Sequence, residues 1–172
     1  DRGRAGLAMK EVMKRLVRKD DKMLLLFEPP FDHTALEPGY IKGYPPGLRE
    51  NGGQYTHAAI WSVMAMAELG DRQRAWELVC MLNPIHHGDT PEGIERYRVE
   101  PYVMSADVYM NPQHTGRGGW TWYTGSAAWM YRLLIETLLG VDLENNHLRL
   151  NPCVPANWST FTIHYRFRET VY

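Results

Sequence analysis

Apolar positions recur along this chain at several different spacings. Over residues 7–18, LAMKEVMKRLVR, they fall at Met9, Val12, Met13, Leu16 and Val17, with Lys and Arg between them. That spacing predicts a helix with one apolar stripe and a solvated opposite face. Residues 54–69, QYTHAAIWSVMAMAEL, are apolar almost all round, which predicts a helix buried on every side. Gly70 and Asp71 interrupt it, and residues 72–82 return to a one-sided stripe at Ala75, Leu78, Val79 and Leu82. Residues 84–119 read as irregular, with a short helix near Pro91–Tyr97. A second all-round apolar helix is expected from about Gly125 to Leu139, stopped by Gly140.

The segments between these helices carry other signals. Met23–Phe27 has the texture of a short strand, and the stretch after it is rich in Pro and Gly and cannot continue a helix. Loops of that length in compact domains are usually functional or disordered. Phe27, Phe31, Tyr40 and Tyr44 argue for order here. After Gly140 the period changes to two in HLRLNPCVP and FTIHYRFRETVY, the mark of strands. Helices that alternate between all-round and one-sided burial suggest two concentric rings, an α/α toroid. A plain helical bundle is the competing arrangement, although its helices should all be amphipathic. The expected division is a helical part over 1–140 and the start of a β domain over 141–172.

Composition narrows the partners. The net charge of −1 over 172 residues gives no electrostatic reason to expect nucleic acid. No apolar run is long enough to span a bilayer, and no signal peptide is visible. The two cysteines, Cys80 and Cys153, form no metal or disulfide framework, which favours a reducing compartment. Six Trp and ten Tyr in a neutral chain are compatible with sugar binding, since pyranose C–H groups pack on ring faces. Aromatics as core and interface mass are the commoner case. The chain starts at Asp1 rather than Met and stops inside a strand-like run, so a longer polypeptide is expected.

Both all-round apolar helices follow a dense polar, Gly-rich stretch: RENGGQYTH before the first and GRGGWTWYTGS before the second. A helix start offers unpaired N–H groups and partial positive charge, a ready site for phosphate. Thr124 is suited to cap the second helix and Gly125 to let a ligand approach its backbone. His57 lies in the first turn of the other helix. If the inner helices converge at one end of a toroid, these groups face one pocket. Each signal has a bland counterpart. A histidine near a helix start is more often a surface or capping group, and Thr-Gly is often only a cap. Arg49 and Glu50 are equally compatible with a solvated ion pair of little energetic weight. Glu100 and Asp107 are candidate pocket carboxylates or simply charge-paired residues. His86 and His87 are adjacent and make a poor metal pair; no His-x-x-x-His or Cys-x-x-Cys spacing occurs, and no metal is expected.

GYIKGYPPGLRENGGQYTHAAIW, RYRVEPYVMSADVY and GRGGWTWYTGSAAWMYR resemble segments of the inverting glycoside phosphorylases, glycoside hydrolase family 94. DDKMLLLFEPPFDHTALEPGYIKGYPPG is similar in particular to the phosphorylase-like C-terminal region of cyclic β-1,2-glucan synthases. The resemblance implies a mainly α fold: the C-terminal part of an (α/α)6 barrel followed by the first strands of a small β domain. It implies that His57, Thr124 and Gly125 hold inorganic phosphate, which is co-substrate rather than cofactor. The family's general acid Asp belongs to an Asp-Trp-Asn-Asp-like motif that this sequence lacks, so no catalytic residue is assigned within it. Phosphate is its own nucleophile in that chemistry, whereas an inverting hydrolase needs a carboxylate base to activate water. Arg49, Glu50, Gln54, Trp120, Trp122 and Tyr123 are the residues expected to meet sugar. Expected partners are a β-linked oligosaccharide, phosphate, the rest of the same polypeptide and a second copy in a homodimer. The implied location is bacterial cytoplasm, at the inner membrane if the parent is a cyclic glucan synthase. A non-catalytic carbohydrate-binding half-barrel and a hydrolase on the same barrel are the alternatives.

Overall fold

The computed structural model describes all 172 residues of the chain. Helix α1 (Arg2–Arg15) begins earlier than its apolar stripe, because the Asp1 carboxylate accepts the Gly3 N–H at 2.9 Å and caps it. It also ends earlier. Val17–Arg18 (β1) turns back through a left-handed Lys22 to pair with Met23–Leu24 (β2). The stripe still serves the core: Met9 is buried, and Val12, Met13, Leu16 and Val17 pack against it.

The Pro/Gly-rich segment that follows is ordered by one side chain. Asn51, 0% exposed, donates to the Phe31 and Tyr44 carbonyls at 2.8 and 2.7 Å and accepts the Phe31 N–H at 2.7 Å. A buried amide with three partners fixes a loop that has almost no regular hydrogen bonds of its own. The segment contains one 3-10 turn, Gly39–Gly43.

Strand β3 (Gln54–Tyr55) leads directly into helix α2 (Thr56–Glu68). After Gly70 in left-handed conformation, Asp71 caps α3 (Arg72–Leu82) by accepting the Arg74 N–H. The stripe of α3 is buried as expected, with Ala75, Leu78, Val79 and Leu82 at 0–4% exposure. Two short helices follow, α4 (Pro84–His87), capped by Asn83, and α5 (Pro91–Tyr97), capped by Thr90. Strand β4 (Asp107–Val108) then pairs antiparallel with β3, Gln54 opposite Val108 and Tyr55 opposite Asp107.

Helix α6 (Thr124–Arg132) is α-helical for nine residues and then widens into a π-helical stretch, Leu133–Leu138. The expected α-helix to Leu139 is therefore corrected. The Leu139 N–H bonds the Leu134 carbonyl, five residues back, and Leu133 and Leu138 are both 0% exposed. The wider turn lets both leucines reach the core, at the expense of regular helical pairing.

The burial expected all round α2 is also corrected. Ala59, Ile60, Val63 and Met66 form one buried face, while Trp61 on another face is half exposed. Within this chain α2 rests on α1, α3, α6 and the Leu133–Leu138 stretch, and Trp61 stays half exposed. The main core thus unites Met9, Leu24, α2, α3 and α6 with its π-helical extension. No helix is long and apolar enough to cross a membrane.

Beyond Gly140 little is buried. β5 (Val141–Glu144) and β6 (His147–Leu150) form a hairpin through left-handed Asn145 and Asn146. β7 (Arg166–Phe167) and β8 (Thr170–Val171) form a second, two pairs long. The longer strand expected over FTIHYRFRETVY is not formed, since alternation sets faces but a strand needs a neighbour to pair with. Cys153 fastens this region to the helices: its N–H donates to the Leu138 carbonyl and its own carbonyl accepts the Trp76 indole N–H, each at 2.8 Å.

Candidate active site

The two Gly-rich stretches meet because a third segment lies between them. β4 pairs with β3 on one side. On the other, Gly119 N–H donates to the Asp107 carbonyl at 2.8 Å and Ala106 N–H to the Trp120 carbonyl at 2.7 Å. Thr56 N–H donates to the Ala106 carbonyl at 2.9 Å. The stretches before α2 and before α6 are therefore flanking strands of one small ladder, and the helices that follow start side by side.

His57 and Gly125 touch as a result. A Cβ placed on Gly125 would stand 2.5 Å from His57 Nε2, so only glycine leaves room for the imidazole. The His57 ring stacks on Tyr55 at 5.2 Å and 15°, and meets Tyr123 and Trp61 edge-on at 5.6 and 6.4 Å. Its Nδ1 is buried without a partner, and burial holds its pKa below the usual histidine range. The free imidazole is thus neutral near pH 7, with one donor and one acceptor nitrogen.

Thr124 does not cap α6. It occupies the first helical position, while Tyr123 has the extended cap backbone and offers no side-chain bond. α2 starts the same way, at Tyr55, and the Thr56 hydroxyl has no partner. By contrast α1, α3, α4 and α5 are each capped by a side chain. The two helices that meet at His57 and Gly125 are the two whose starts carry no side-chain acceptor.

A second group adjoins the first. The Arg49 guanidinium lies over the Trp120 ring, 3.8 Å from Cζ to centroid, and 5.5 Å from the Tyr44 centroid. Arg49 has left-handed backbone, φ 48°. Arg49 Nε, Glu50 Oε2 and both carboxylate oxygens of Asp107 are buried without hydrogen-bond partners. The solvated Arg49–Glu50 pair weighed from sequence does not exist: both residues are partly buried, and no ion pair links them. Tyr55 borders both groups. Its hydroxyl pKa is raised, first by burial, then by the neighbouring Tyr123 hydroxyl and by Glu50.

Two expected residues sit elsewhere. Gln54 is 1% exposed and its Oε1 accepts the Leu24 N–H at 2.9 Å, so it joins β2 to β3 rather than lining the site. Trp122, φ 58°, is 69% exposed and its indole donates to Glu100 Oε1 at 3.0 Å, which ties it to the 98–106 loop. Sequence reasoning did not single out Tyr55, the ring on which His57 stacks, because the sharp bend from β3 into α2 creates that stack. A hollow of about 870 Å³ lies away from these groups, between α3 and Pro155–Trp158. No three His, Cys, Asp or Glu side chains stand together as a metal site would require.

The helical core thus presents two uncapped helix starts beside a glycine and an aromatic-walled histidine. The family described as glycosyl hydrolase 94 superfamily, catalytic domain, matches residues 1–140, and the chain belongs to it. It is 46% identical over all 172 residues to the cyclic beta-(1,2)-glucan synthase NdvB of Rhizobium meliloti (strain 1021). It is 32% identical over 136 residues, 78% of this chain, to the N,N'-diacetylchitobiose phosphorylase of Vibrio furnissii. Against the 1,2-beta-oligoglucan phosphorylase of Listeria innocua serovar 6a it is 27% identical over 130 residues, 67% of this chain. The chain spans only 6%, 16% and 12% of these three relatives.

Proposed function

We propose that this chain is the phosphate-holding and sugar-walling part of an enzyme that cleaves, or in reverse builds, β-linked gluco-oligosaccharides by inverting phosphorolysis. The contact of the His57 imidazole with Gly125, at two uncapped helix starts, carries this reading. The α2 and α6 starts supply N–H groups and partial positive charge for an oxyanion. Thr124 adds a hydroxyl and neutral His57 an N–H. Arg49, Glu50, Trp120 and Tyr123 offer polar and aromatic contacts for the sugar. Phosphate is then held in line with the glycosidic carbon, and catalysis rests on positioning and charge stabilisation. The proton for the leaving oxygen comes from a general acid elsewhere in the polypeptide. On this reading residues 1–140 belong to the later part of an (α/α)6 barrel and residues 141–172 open a β domain. The substrate is β-1,2-glucan related, in keeping with the 46% identity to a protein named for that linkage, and the enzyme works on the cytoplasmic side.

The test incubates the intact polypeptide with phosphate and a panel of β-linked disaccharides and gluco-oligosaccharides and follows sugar 1-phosphate by phosphorus NMR. Release with inverted configuration is expected from the intact polypeptide and none from residues 1–172 alone. His57→Ala and Thr124→Ala should raise the half-saturating phosphate at least ten-fold while changing that of the oligosaccharide less than three-fold, the loss of about one charge-assisted contact. Gly125→Ala, which drives a methyl into the imidazole, should match His57→Ala. Equal weakening toward both substrates rules out the phosphate role.

A further inference from the structure

Asp107 is the most unusual charged residue in the chain. It is 1% exposed, and neither carboxylate oxygen has a hydrogen-bond partner. It sits in the middle segment of the ladder that brings the two helix starts together, opposite Tyr55 and bonded through its carbonyl to Gly119. Its side chain turns back over the same glycine. A Cβ at Gly119 would stand 2.0 Å from Asp107 Oδ1, so that position must lack a side chain. Arg49 and Glu50 are its charged neighbours, the first opposing and the second reinforcing the effect of burial, which raises the Asp107 pKa. Tyr97 feels the Asp107 charge as well. The Trp120 and Arg49 backbone amides approach the carboxylate without completing hydrogen bonds.

An unpaired buried carboxylate costs stability that a neutral group of the same shape does not, so its retention calls for a role. Here its position names the task. Arg49 is in left-handed backbone, lies over the Trp120 ring and has a buried Nε with no acceptor. The Asp107 charge and that guanidinium attract each other, a pull that would hold Arg49 against the ring and leave its outer N–H groups free to meet sugar hydroxyls. Glu50 beside it has a second buried carboxylate oxygen without a partner.

We propose that Asp107 is the positioning residue of the sugar-binding half of the site, acting through Arg49 and Trp120 and not on phosphate. The proposal rests on the function proposed above. It is tested in the intact polypeptide with inorganic phosphate and whichever oligosaccharide of the panel the wild type cleaves best. Asp107→Asn keeps shape and removes charge. It should raise the half-saturating oligosaccharide at least ten-fold and leave that of phosphate within two-fold. Arg49→Lys should give the same split, and the double variant should be no worse than the poorer single one, as expected of residues that act through one contact. In the wild type, oligosaccharide half-saturation should also follow an ionisation above the ordinary carboxylate range, absent from Asp107→Asn. A residue that is only structural would give a different pattern: a lower unfolding temperature with both half-saturations moving together. The unfolding temperature of Asp107→Asn at pH 7 should instead equal or exceed that of wild type, because a buried charge is gone. Should that variant not fold, Gly119→Ala, which displaces the carboxylate, must show the same sugar-selective loss. Additive effects of Asp107→Asn and Arg49→Lys, or equal losses toward phosphate, overturn the proposal. His57→Ala that spares phosphate would instead overturn the phosphate site, and direct calorimetry of oligosaccharide binding would still decide Asp107.

Discussion

His87 makes the fold sensitive to acid. It is 6% exposed, stacks on Tyr97 at 4.6 Å and 13°, and keeps a buried Nε2 without a partner. Burial, reinforced by Lys22 and His86 and opposed by the Met81 carbonyl and Asp89, lowers its pKa to about 4. A histidine whose pKa is depressed by folding contributes stability above its unfolded pKa of ~6.5, and loses it as pH falls through the folded value. The window here runs from about 6.5 down to about 4, and the loss over it is about 3 kcal/mol. Urea unfolding midpoints should fall across that range in the wild type. In His87→Phe, which keeps a ring on Tyr97, they should fall much less. His57 tilts the same way and Asp107 the opposite way, so the difference between wild type and variant isolates His87. An equal slope in both proteins would show that His87 does not control it. Nothing in the sequence marked its burial. His86 and His87 read as a weak metal pair, and which one is buried depends on the turn after Pro84.

At the scale of elements, α2 carries the core through one face. Ile60 and Val63 are 0% exposed, while Trp61 is half exposed and meets the rings of His57 and Trp129 edge-on. Ile60→Ala should lower stability by about 2–5 kcal/mol, the range for emptying a packed site. Trp61→Ala should cost about 1 kcal/mol or less in the isolated chain, in keeping with a surface position. Urea titration of both variants checks the contrast, and equal losses would mean that Trp61 is buried in solution. The sequence made α3 and α5 legible to the residue, since a one-sided stripe or a Pro flanked by a cap is a local signal. It made the two polar helix starts legible too, because Gly-rich stretches break periodicity. What it did not reveal is nonlocal. The ladder through Asp107 and the burial of Gln54 depend on segments distant in sequence, and the widening of α6 at Leu133 on how the core is filled. The candidate residues were therefore chosen by type, and their grouping came from the fold. Thr124 was misread as a cap because the extended residue is Tyr123, one place earlier.

For the molecule as a whole, the exposed aromatics decide how it behaves alone. Trp61, Trp120, Trp122 and Tyr131 are 50–69% exposed, and Leu134 on the same helix as Tyr131 is 37% exposed. Scattered apolar residues on a surface are normal, but large exposed rings on α2 and α6 invite cover. On the proposed barrel, further helices cover α2 and α6 from the open side and sugar covers Trp120. The isolated chain has neither. It should therefore scatter light as assemblies heavier than 19.9 kDa at micromolar concentration and bind a hydrophobic dye. Trp61→Glu with Tyr131→Glu should shift the isolated chain toward monomer. In the intact polypeptide the same pair should lower the unfolding temperature, because charge would then be forced into a packed interface. That reversal of sign is the informative result. An isolated wild-type chain that runs as a 19.9 kDa monomer without binding dye would mean that α2 and α6 need no outer partners, and the barrel reading of these helices would fall with it.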